Sequence, residues 1–182
     1  MGSVLEPGKP SIAMLKLAPW DQFEVSTPVD YHLHTAYTDG IASPREIVQA
    51  ARARGLCDIM LTEHVRHSST YFSGFAREVR SLEYAGLNVR VGVETKVLDT
   101  EGRLDCSPEI ASISEGIIGS VHRPPDGQGG VRDWSGMRLE EAVEVEFDLA
   151  MAIVAKSKAH VLGHPMGMVV TRFQLEPMEQ LH

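Results

Sequence analysis

With 182 residues, 43% of them hydrophobic and 23% charged, the chain has the composition of a single ordinary globular domain with a sizeable core. Its net charge of −8 and pI near 5.4 argue against a broad nucleic-acid-binding surface. Two cysteines make no disulfide framework, no apolar run approaches the roughly 18–20 residues of a membrane span, and the N-terminus lacks an apolar signal region, so a cytoplasmic location is expected.

Residues 1–28 are punctuated by proline and read as an N-terminal extension, with Ile12 to Leu17, Trp20 and Phe23 as its apolar groups. From Val29 the texture changes to alternating strand and helix signals, and residues 29–182 are taken as one domain. The first strand is Val29 to His34. Ser43, Pro44 and Glu46 then form a capping box with proline at the first helical position, and Gly55 stops the helix. Cys57 to Leu61 reads as the second strand, ending in Thr62-Glu63-His64. A helix from Gly74 or Phe75 to Tyr84, closed by Gly86, precedes a third strand, Val89 to Glu94. Lys96 to Asp99 and Arg103 to Asp105 suggest a small hairpin, and Ser107-Pro108-Glu109 opens a short helix before the fourth strand, Gly116 to Val121. The longest helix is expected over Met137 to Lys158, with Leu139, Val143, Phe147, Ala150 and Val154 as its apolar stripe. His160 to His164 reads as a fifth strand. This alternation implies a parallel α/β sheet or barrel, in which functional groups gather at the carboxyl ends of the strands.

Those ends carry the chemistry. In an extended chain residues i and i+2 point the same way, so His32 and His34 can reach one metal ion together. Asp39, Glu63-His64, Glu94, Ser120-Val121-His122 and Gly163-His164-Pro165 place further ligand types at or just beyond the ends of separate apolar runs. Mixed imidazole and carboxylate donors suit Zn, Mn or Fe better than Ca or Mg.

These motifs, in this order, resemble the polymerase and histidinol phosphatase (PHP) superfamily of metal-dependent phosphoesterases, from about Val29 to Pro165. The resemblance implies a distorted TIM-like (β/α)7 barrel, a hydrolase with up to three divalent metal ions, and hydrolysis of a small phosphomonoester by water activated on those ions. It would put His32 and His34 on a first metal, Glu94 as a bridge to a second held by His122 and His164, and Asp39 with His64 on a third. The excess positive charge of such a centre favours an anionic substrate, histidinol phosphate being one candidate. Arg66 and Arg123, each directly after a ligand candidate, are positioned to grip a phosphate bidentately. Two other readings compete: a noncatalytic metal-binding or structural PHP domain, and an amidohydrolase-like C–N hydrolase, which the Glu94 position disfavours.

The family's late Asp-x-His pair is absent. Only 18 residues follow His164, without Asp and with only the terminal His182, whereas another strand–helix–strand unit needs about 30. The barrel is therefore expected to stay open and the chain to be a fragment. His67 reads as a solvent-exposed loop residue, His160 as the start of a strand away from the site, Cys57 as a core residue and Cys106 as a loop residue. Gly127 to Gly130 lacks the Walker lysine and the dinucleotide-binding spacing, so it is expected to be a flexible loop over the site that carries Arg132 and Trp134 toward substrate.

Overall fold

The computed structural model describes residues 28–82 and 84–174. The expected N-terminal extension and its apolar groups lie outside the described residues, as does His182. The described chain alternates β1 (Val29–Leu33), α1 (Pro44–Ala53), β2 (Asp58–Val65), α2 (Phe72–Arg80), β3 (Asn88–Lys96), α3 (Pro108–Ile113), β4 (Gly116–Ser120), α4 (Leu139–Lys156), β5 (Val161–Leu162) and α5 (Gly167–Phe173). The five strands are parallel and lie in sequence order, a curled half-barrel of the expected α/β class.

Local chemistry fixes the start of α1 and α3. Ser43 accepts the Glu46 amide while the Glu46 carboxylate accepts the Ser43 amide, completing the capping box, and Ser107 caps α3 ahead of Pro108. Helix α2 starts two residues earlier than the sequence suggests and ends at Arg80, taking Gly74 into its first turns. The hairpin after β3 forms around an antiparallel Val97–Leu104 bridge.

Side chains alternate across the strands, so the sheet has two differently used faces. Ile59 and Leu61 of β2 and Val91 and Val93 of β3 are buried with Val48 of α1 and Phe72, Phe75 and Val79 of α2. Burying a phenylalanine such as Phe72 or Phe75 contributes about 1.5–3 kcal/mol. On the other face Met60 crosses to β3 and β4, where Gly92 and Gly116 leave it room; a Cβ at either glycine would come within 2.6 or 2.5 Å of its sulfur. Met60 thus forms an apolar floor beneath the strand ends.

Helix α4 packs by a different face from the one expected. Of the expected stripe, Ala150 is buried and Leu139 half-buried, but Val143, Phe147 and Val154 are 36%, 56% and 65% exposed. The buried residues are Ala142, Glu146, Leu149, Ala150, Ala152 and Ile153. A close approach explains the choice: a Cβ on Gly119 of β4 would lie 2.9 Å from Ile153, so the helix sits where the strand lacks a side chain.

Strand β1 carries an irregularity. Val29 and Asp30 pair with Asp58 and Ile59, but Leu33 pairs with Leu61, so three steps along β1 match two along β2. This is a bulge beside the site, with the His32 amide donating to the Asp30 carboxylate (3.2 Å).

Candidate metal centre

Register brings the strand ends together. His64 lies opposite Glu94 in the β2–β3 ladder, and Ser120, two residues before His122, lies opposite Lys96 in the β3–β4 ladder. Glu94 is 1% exposed, and five imidazoles close on its carboxylate. His32 Nε2 (3.0 Å), His34 Nε2 (3.1 Å) and His64 Nδ1 (3.3 Å) approach Oε2, while His122 Nε2 (3.2 Å) and His164 Nε2 (2.8 Å) approach Oε1. Successive rings also touch, in the order His32, His34, His64, His122, His164 and back to His32, with centroids 4.4–5.8 Å apart. Asp39 stands outside this circle, 3.2 Å from His64 Nε2 and 3.8 Å from His34 Nδ1.

A carboxylate offers about four lone-pair positions, fewer than the ring nitrogens aimed at this one. The excess of donors suits cations held between them. Three overlapping sets have ligand atoms within 4.8 Å of one another: His32, His34 and Glu94; His34, Asp39 and His64; His64, Glu94 and His122. His34 Nδ1 is buried and finds no hydrogen-bond partner among the described residues, as a nitrogen directed at an ion would be. These groupings share His34 and His64 between sets, whereas the resemblance placed each on one metal.

The electrostatics follow from this crowding. Burial opposes ionisation of Glu94, but contacts with His122, His164, His32 and His34 hold its carboxyl far below the usual range. Burial also disfavours a charged His34, yet Glu94, Asp39 and Glu63 more than compensate and raise it. The hydrogen bond to Glu94 raises His164. His64 goes the other way: burial lowers it, and His34 and His122 add to the effect beyond what Glu94 and Asp39 restore.

The loops around the ring are fixed by buried polar groups. Glu63, fully buried, accepts the Thr35 amide (2.8 Å) and the Thr38 hydroxyl, tying the loop that carries Asp39 to β2. Tyr71 donates to the His64 carbonyl (2.5 Å). Trp134 is buried, and its indole donates to the His122 carbonyl (3.0 Å), so it supports the site from behind instead of reaching toward substrate. Arg132 points to Glu141 (3.8 Å), and the Gly127–Gly130 loop is held by Arg103, which donates to the Gly129 carbonyl (2.9 Å). Neither lines the cavity beside the ring.

That cavity, about 530 Å³, is lined by Arg66, Arg123, Ser69 and Met168 together with His64, Glu94 and His122. It also contains Lys96, which the sequence reading missed and which pairs with Asp105 at 2.9 Å. The signal was its spacing: Lys96 is two residues beyond Glu94 on the same strand face. His67 is an exposed loop residue whose amide donates to Asp105, and His160 lies just before β5, which is shorter than the expected His160 to His164, with Nδ1 accepting the Ile117 amide. Cys57 and Cys106 are both half-buried and free, so Cys57 lies at the margin of the core, at the entry to β2.

Comparison with known families matches the PHP domain over residues 30–176. The chain belongs to the PHP domain family. Its relatives include a probable phosphatase of Enterobacter sp. (strain 638), 21% identical over 142 residues that cover 76% of this chain and 53% of the relative. Among solved structures, this PHP domain resembles the histidinol phosphate phosphatase of Lactococcus lactis subsp. lactis Il1403, which was crystallised with zinc, L-histidinol and phosphate. The TM-score is 0.63 at 22% identity, covering 80% of this chain and 60% of that one. The likeness establishes the shared fold, and the chain spans between half and two thirds of the length of these two proteins.

Proposed function

We propose that residues 29–182 form the metal-binding domain of a divalent-metal-dependent phosphoesterase acting on a small phosphomonoester in the cytoplasm. The observation that carries this reading is the circle of five imidazoles on Glu94, of which His64 and His122, with Glu94 itself, line the same cavity as Arg66, Lys96 and Arg123. His32, His34, Asp39, His64, Glu94, His122 and His164 would hold up to three Zn, Mn or Fe ions. When bound, such ions stabilise developing charge on a phosphoryl group and let water ionise near neutral pH.

The chain's own groups do the rest. Glu94, ionised and buried, is shared between ligand sets, and His34 and His164 must each give up a proton to act as ligands. Arg66 and Arg123 orient the phosphoryl oxygens. Lys96, steadied by Asp105, keeps a third cation at the cavity wall and favours a dianionic substrate over a neutral one. Histidinol phosphate is the first candidate, because the Lactococcus lactis relative carries L-histidinol and phosphate.

The test is phosphate release from a panel of phosphomonoesters that includes histidinol phosphate, with Mn²⁺, Zn²⁺ or Fe²⁺ supplied in turn. Metal-dependent turnover that His122→Ala abolishes is expected. Tight metal binding without turnover on any ester would favour the noncatalytic domain, and cleavage of amides instead would favour the amidohydrolase reading.

A further inference from the structure

Glu146 lies in the middle of α4, is 0% exposed, and is surrounded by an apolar cluster that includes Ala142, Leu149, Ala150 and Val169. A carboxylate in such a place is costly unless its oxygens are satisfied. They are satisfied by α5: the Met168 amide donates to Oε1 (3.2 Å) and the Val169 amide to Oε2 (2.7 Å). These are first-turn amides that a helix normally satisfies with an N-cap side chain, and here the cap residue, Met166, supplies none.

The segment just ahead of α5 is strained. His164 has φ of 23° and Met166 of 63°, left-handed values that side chains other than glycine adopt only when their surroundings impose them. One end of this segment is tied to the sheet, where the Gly163 amide donates to the Gly119 carbonyl (2.9 Å). The other is tied to α4 through Glu146. His164 therefore sits on a short span clamped at both sides, its ring over Gly167, where a Cβ would lie 3.3 Å from Nδ1.

We propose that Glu146 is a positioning residue for His164, holding the strained span so that the imidazole is delivered to Glu94 ready to ligate a metal. The inference rests on the metal reading of the site. Glu146 touches neither substrate nor metal in this scheme; it acts through the α5 amides.

The test titrates the protein with Mn²⁺ alone, following free Mn²⁺ by electron paramagnetic resonance. Glu146→Gln keeps the volume but turns an amide group toward one of the donors. Glu146→Leu keeps the apolar packing and removes both acceptors, and serves as a second variant should the polar one fail to fold. Each variant is expected to weaken Mn²⁺ binding by about 10–100-fold, the usual effect of losing an outer-shell support. In a His164→Ala background the same substitutions should weaken it no further, because the residue they act through is gone. Equal weakening in both backgrounds, or none in either, overturns the proposal. If His164→Ala itself binds Mn²⁺ like the parent, the metal role of His164 falls and this inference falls with it. If His164→Ala weakens binding while both Glu146 variants do not, only the positioning role is lost.

Discussion

Gly40→Ala places a single methyl group against the centre's own backbone, and its effect can be worked out from position. A Cβ at Gly40 would lie 2.7 Å from the His34 carbonyl carbon, 2.9 Å from that of Thr35, and closer still to the His34 carbonyl oxygen. All three are main-chain atoms, and the Gly40 amide already donates to the Thr35 carbonyl (3.0 Å), so neither side of the contact can rotate away. Overpacking of this kind costs about 1–3 kcal/mol. For a chain of this size each kcal/mol lowers the midpoint by about 2–4 °C, so a fall of about 2–12 °C is expected by calorimetry. Because the clash separates Asp39 from His34, Mn²⁺ affinity should fall as well. Gly74→Ala is the control: no atom lies within 4 Å of its Cβ, it sits in α2, and its φ is not positive, so the change should raise stability by about 0.5–1 kcal/mol. If Gly40→Ala melts and binds metal like the parent, close approach does not shape this loop and the reasoning fails.

Two further outcomes follow from the site. Metal affinity should rise with pH: His34 and His164 hold their protons more tightly than an ordinary imidazole, so a metal must compete with protons at both and gains affinity as pH rises. Calorimetric titrations in buffers of different ionisation heat would count the released protons, and an affinity that is flat from about pH 6 to pH 8 would contradict the assignment. The same two shifts give the metal-free protein a stabilisation that is full below about pH 6.5 and lost as pH climbs through the raised values. Trp134→Phe removes the donor to the His122 carbonyl while keeping a buried aromatic, and should cost about 1–3 kcal/mol together with weaker metal binding; urea melts with and without Mn²⁺ would separate the two effects.

Much of the fold was legible because local signals and burial agreed. The capping box at Ser43 and Glu46 placed α1, and near-continuous apolar runs placed β2, β3 and β4. Glu94, His122 and His164 were legible because each follows an apolar run, and His32 and His34 because their i, i+2 spacing puts both on one strand face. The packing face of α4 was not. That helix is apolar on two sides, and the choice between them depends on Gly119 in a distant strand and on a carboxylate whose partners are amides about twenty residues later. The overlap of the three candidate groups at His34 and His64 was likewise hidden, since it depends on how closely the curled sheet brings the strand ends together.

The bulge in β1 decides which way the two leading histidines look. Counting straight on from the Asp30–Ile59 pair, an even ladder would set Leu33 opposite Thr62 and His34 opposite Glu63, turning both imidazoles out among the helices and Leu33 in toward Glu94. The observed pairing of Leu33 with Leu61 absorbs one residue and restores the phase, which the even ladder would lose together with the ring. In the observed frame Leu33 packs against the core on the helix side of the sheet. The two directions of length change are therefore not equivalent: losing Tyr31 would let the ladder run evenly into the same downstream partners, whereas an added residue between His32 and His34 would put them on opposite faces of the strand.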